Sequence, residues 1–156
     1  MRNGMPRIAL YASTGGWNLA AKRVMELYAR LPLISLSKLQ QERLEEVASG
    51  VFRPCCDNPT SFPDCNHGMA MLGLLTLLAA EGRDVDALFV AASTANRFWF
   101  PQQSAQLAIY LRRAQASPRV DARVAVGRQF FSGSGFRKVA AWARGQGLAA
   151  PAGSAC

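Results

Sequence analysis

The sequence predicts a mostly α-helical protein, a compact single-domain bundle of five to six helices with a proline-rich Cys/His loop between the second and third. Three observations carry this expectation. Half of the 156 residues are apolar and only 18% are charged, enough to build a core and too apolar for a disordered chain. Apolar residues recur at helical spacing in successive segments. Helix start and stop residues punctuate those segments.

Taken in order, Pro6 to Ala12 reads as a short strand or as the lead-in to a helix, and Ser13-Thr14-Gly15-Gly16 as a helix start. Trp17, Ala20, Ala21, Val24, Met25, Leu27, Tyr28 and Leu31 then follow helical spacing up to Pro32. A second helix is expected over 38–49. Ser37 and Gln40 form a capping box before it, Leu39, Leu44 and Val47 form its inner stripe, and Gly50 stops it. Pro54, Pro59 and Pro63 exclude regular helix from 51–65 and make that segment an ordered loop. A third helix runs from near Asn66 to Glu81, a fourth is capped by Asp84 and continues through Asn96, and a fifth starts at Pro101. Ala105, Leu107, Ala108 and Leu111 are expected to face inward on the fifth. VDARVAV at 120–126 reads as a short strand, SGSG at 132–135 as a loop, and FRKVAAWAR as a sixth helix. The domain is expected to span 1–148, with 149–156 a flexible tail.

The longest apolar run, MAMLGLLTLLAA at 69–80, is well short of the roughly 20 residues that span a bilayer, so no transmembrane segment is predicted. The N-terminus lacks a signal-peptide apolar region, and the expected compartment is the cytoplasm. The formal charge of +8 is concentrated at the C-terminal end: 1–50 carry +3, 51–100 carry −2 and 101–156 carry +7. Arg112, Arg113, Arg119, Arg123, Arg128, Arg137, Lys138 and Arg144 form a basic region suited to an acidic partner protein or a nucleic acid, although no nucleic-acid-binding signature accompanies them.

The chemistry-bearing feature is a cluster. Three of the four cysteines and the one histidine, Cys55, Cys56, Cys65 and His67, fall within thirteen positions. Neighbouring Cys55 and Cys56 have Cα atoms about 3.8 Å apart, too close for a mutual disulfide, while either can close a loop with Cys65. Three thiolates and an imidazole make a complete set of metal ligands. The CC-x8-C-x-H spacing matches neither a zinc knuckle nor a ferredoxin run. Side chains of adjacent residues in an extended segment diverge, which favours an iron-sulfur cluster over a single zinc ion; zinc and a haem held by His67 or a cysteine are the alternatives.

Cys65 is placed on the loop side of the third helix, whose N-terminus favours a thiolate. Gly68 leaves that flank open for a cofactor, and Trp99, within Phe98-Trp99-Phe100, is a candidate wall against water. The expected function is metal or cofactor binding, in electron transfer, sensing or cofactor handling. The alternatives are a metal-free thiol or disulfide protein and a basic nucleic-acid-binding regulator. With one histidine, a Cys-His hydrolase is disfavoured, and the cluster points to a metal or redox protein rather than a classical enzyme. Cys156 is read as incidental.

Overall fold

The structure, a computed structural model, describes residues 7–15, 21–115 and 120–148. Among these residues there is no strand, and nine α-helices follow a single 3-10 turn at Arg7–Leu10. Five of them answer to helices expected from caps and periodicity: α3 (Lys38–Gly50), α4 (Asn66–Ala80), α5 (Val85–Trp99), α6 (Pro101–Ala114) and α9 (Gly133–Gly145), which contains the expected FRKVAAWAR helix. The Ser37–Gln40 capping box forms in full, Asp84 accepts from the Ala87 N–H, and Pro101 opens α6.

The count exceeds five to six because short turns of helix fill segments expected to be irregular or extended. Val120 to Val126 is not a strand. Asp121 Oδ1 accepts from the N–H groups of Arg123 (2.8 Å) and Val124 (3.3 Å) and starts α7 (Ala122–Val126), so a cap overrides the β-branched alternation. After α8 (Arg128–Phe131), the SGSG segment is the start of a helix, not a loop. Ser132 caps α9 (Gly133–Gly145) by accepting from Gly135 N–H at 3.0 Å.

The N-terminal region departs furthest from expectation. Its described part contains only α1 (Ala12–Gly15) and α2 (Val24–Leu27), not a helix continuing to Leu31. Tyr28 turns extended, Ala29 takes a positive φ of 52°, and Leu31 is exposed. Trp17 and Ala20 lie outside the described residues, as does the 149–156 segment expected to be a tail. Two inner-stripe expectations also fail: Leu39 and Ala105 face solvent, because α3 and α6 turn Leu44 and Val47, and Leu107 and Leu111, toward their neighbours instead.

Two apolar clusters result. Leu44 and Val47 of α3, Met71 and Leu75 of α4, Leu88 and Phe89 of α5, and Val126 of α7 form the first. Phe100, Leu107, Leu111, Phe131, Phe136 and Val139 form the second, between α6, α8 and α9. Trp99 packs against both, and Cys55 against the second. Arg123 ties α3, α5 and α7 together at the rim, pairing with Glu46 (3.4 Å) and Asp86 (2.8 Å) while lying 4.6 Å over the Phe89 ring.

The close approach of α9 to α8 depends on Gly135. A Cβ there would stand 2.6 Å from the Gln129 carbonyl oxygen and closer still to that of Arg128, both backbone atoms with little room to yield. Helix propensity alone favours Gly135→Ala by about 1 kcal/mol. The steric conflict reverses the sign, and the variant is expected to lose about 1–3 kcal/mol in a urea unfolding measurement.

Candidate metal centre

The 51–65 segment carries no regular structure, yet Val51, Phe52, Arg53 and Thr60 are buried. Buried backbone must find partners, and here those partners come from several helices. Phe52 N–H donates to Val126 O (2.8 Å), and Phe52 O accepts from Asn96 Nδ2 (3.0 Å). Thr60 N–H returns to Val51 O (2.9 Å), Gly133 N–H donates to Cys56 O (2.7 Å), and Ser134 N–H donates to Asp57 Oδ1 (2.7 Å). Ser13 Oγ donates to Pro63 O (2.8 Å). The hydrogen bonds from Ser134 hold the Asp57 carboxyl below its ordinary pKa. The loop is thus fastened to α1, α5, α7 and α9.

Cys56 N–H reaches Arg53 O at 3.4 Å, closing a turn with Pro54 in its second position. This turn changes the reading of the adjacent cysteines. Their side chains do not diverge as in an extended segment: the sulfurs of both Cys55 and Cys56 lie within 4.8 Å of the Cys65 sulfur. Cys65 is the N-cap of α4, in extended conformation (φ −123°, ψ 165°), and its Sγ also accepts from Gly68 N–H at 3.3 Å. Standing outside the helix, it shares a side with His67 that two residues within a helix could not share.

Two groups of potential ligands follow. The sulfurs of Cys55 and Cys65 and a ring nitrogen of His67 lie within 4.8 Å of one another, and so do the donor atoms of Cys56, Asp64 and Cys65. All four expected ligands therefore meet around Cys65, but as two overlapping triads, and Asp64 joins the second. Two ligands 2.3 Å from one tetrahedral ion stand about 3.8 Å apart, so either triad is within small side-chain adjustments of a single ion. The group can bind a metal. No disulfide joins Cys55, Cys56 or Cys65.

Sequence reasoning missed Arg53. Its side chain is fully buried, with Nη1 donating to Thr60 Oγ1 (3.1 Å), and Nη2 to Asn58 O (3.2 Å) and Cys56 Sγ (3.4 Å). Nη2 also stands 3.9 Å from Asp64 Oδ1, whose other oxygen accepts from Asn58 Nδ2 at 2.6 Å. Burial pulls the guanidinium pKa down, but the charges of Cys56 and Cys65 outweigh it and hold Arg53 above its usual value. Reciprocally, the Cys65 thiol is held far below the ordinary range: hydrogen bonds from Cys55 and Cys56, with those of Gly68 N–H and the charge of Arg53, overcome burial.

Gly68 serves this arrangement directly. A Cβ there would stand 3.0 Å from Arg53 Nη2 and 3.1 Å from Pro63 Cα, so the flank expected to admit a cofactor is occupied by the guanidinium. Trp99 and Phe100 stack obliquely on His67, with centroids 5.7 and 4.8 Å away, whereas Phe98 points to solvent. Of the basic region, Arg123 is engaged in its two ion pairs, Arg137 stands 3.9 Å from Asp57, and Arg119 lies outside the described residues.

Burial, followed by the charge of Arg53, also lowers the His67 pKa below 6.5. Below that value the unfolded chain binds more protons than the folded one. The stability due to neutral His67 is therefore complete above about pH 6.5 and is lost as pH falls toward the folded pKa. Metal-free protein is expected to melt at progressively lower temperature over that interval, with a shallower decline in His67→Gln; equal slopes would contradict the assignment.

No protein-family model, curated protein or solved structure matches this chain. No helix among the described residues is long and apolar enough to cross a membrane. The fold and centre define a helical protein with a Cys/His/Asp group able to bind a metal.

Proposed function

We propose that this protein binds one thiophilic transition-metal ion, with Cys55, Cys65 and His67 as ligands, Cys56 completing the set and Arg53 balancing its charge. The observation that carries the reading is the convergence of the Cys55, Cys65 and His67 donor atoms within 4.8 Å. Charge supports it. A divalent ion with three thiolates and a neutral imidazole carries one net negative charge, and among the described residues the one buried cation is Arg53, beside it. The imidazole is neutral at pH 7, as a ligand must be. Trp99 and Phe100 limit water at His67, which suits electron transfer or metal handling.

An iron-sulfur cluster is the second reading. It is favoured by the separation of Cys56 from Cys55 into different triads around Cys65, which spreads the thiols over more than one coordination point.

Titration of reduced, chelator-stripped protein with cobalt(II) tests the proposal. One equivalent is expected to give sulfur-to-cobalt charge-transfer absorption that zinc then abolishes. Absence of any stoichiometric binding would overturn it. Visible absorption and acid-labile sulfide in anaerobically purified protein would instead identify the cluster.

A further inference from the structure

A cavity of about 510 Å3 opens between α5, α6 and α7 and is lined by none of the candidate metal ligands. Its walls are mixed, with Val90, Ala108 and Val120 among the apolar residues, and two arginines, Arg97 and Arg112, contribute to the lining. No carboxylate lines it among the described residues, and neither guanidinium has an ion-pair or hydrogen-bond partner there. Asn96 also lines the cavity. It is buried, its Nδ2 is committed to Phe52 O, and its Oδ1 has no hydrogen-bond partner. Apolar walls with a few oriented polar groups are the usual composition of a small-molecule site, and unpaired arginines select negative charge.

We infer that this cavity is a binding site for an amphipathic organic anion, its apolar body against Val90, Ala108 and Val120 and its negative charge on Arg97 and Arg112. The site stands independently of the metal reading, although Asn96 links the two regions by holding the carbonyl of Phe52, the residue before Arg53.

The probe for the test is 8-anilino-1-naphthalenesulfonate, an organic anion with an aromatic body. Saturable binding of one equivalent is expected by fluorescence, displaced by octanoate but not by octylamine, which has the same chain length and the opposite charge. Arg97→Gln combined with Arg112→Gln removes two exposed charges and is expected to weaken binding at least tenfold. Ala108→Phe fills the cavity and should do the same while leaving both arginines in place. Thermal unfolding and cobalt uptake serve as controls and should change little in the arginine variant. Absence of saturable binding, equal displacement by octylamine, or binding unaffected by either variant would overturn the inference, whatever the outcome of the metal titration.

Discussion

Arg53→Met should lower folding stability by about 3–5 kcal/mol, the range expected when one partner of a buried charged pair is removed. That is a large share of the roughly 5–15 kcal/mol that holds a domain together. Methionine fills much of the same volume, so the loss isolates the guanidinium. Without it Asn58 O loses its 3.2 Å donor, Thr60 Oγ1 its 3.1 Å donor, and the Cys56 and Cys65 sulfurs the positive charge beside them. Arg53→Lys should fall between the two, because one ammonium cannot reproduce donors from two guanidinium nitrogens aimed at separate partners. Urea unfolding of the three proteins at one pH measures the series. Ultraviolet thiolate absorbance should also show the Cys65 pKa rising in Arg53→Met. A loss under about 1 kcal/mol, the value of an exposed ion pair, would show that the guanidinium is not the keystone of the loop.

Arg53 also marks the boundary of what the sequence discloses. The cysteine and histidine cluster is local, thirteen positions long, and could be read without knowing the fold. An arginine beside a loop defaults to solvent, and its burial follows from tertiary relations: the missing Cβ of Gly68, and the approach of Gly133 to the Cys56 backbone, which a Cβ would obstruct at 3.2 Å. The adjacent cysteines were misleading for a related reason. Their divergence assumes extended backbone, and the Pro54 turn removes that assumption, although proline in such a position was visible.

Among the helices, α3, α5 and α6 are legible because Ser37, Asp84 and Pro101 act within four residues of the starts they specify. α7 carried the same signal in Asp121, but the alternation of Val120, Ala122, Val124 and Val126 pointed the other way; the cap prevailed, and α7 packs on α5. The sequence carries no stop between Leu27 and Pro32 that would foretell the left-handed Ala29.

Cys65→Ser should weaken metal binding by more than the ~10–100-fold typical of residues that only support a ligand, since Cys65 belongs to both triads. The fold should survive. Serine is at least as good a helix cap, and its hydroxyl can accept the Gly68 N–H that the sulfur accepts at 3.3 Å. Cys65→Ala lacks both functions and should add a stability loss of about 1 kcal/mol to the loss of metal. Competition against a chelator of known affinity, with melting curves of the metal-free proteins, separates the two effects. Wild-type affinity in Cys65→Ser would remove the centre from consideration. Comparison of the neighbouring cysteines then distinguishes one ion from a cluster. A single ion held by Cys55, Cys65 and His67 makes Cys55→Ser nearly as damaging as Cys65→Ser and Cys56→Ser the milder change, because Cys56 shares its triad with Asp64 and its sulfur already has a donor in Arg53. A cluster draws on both cysteines, and their replacements should then cost alike.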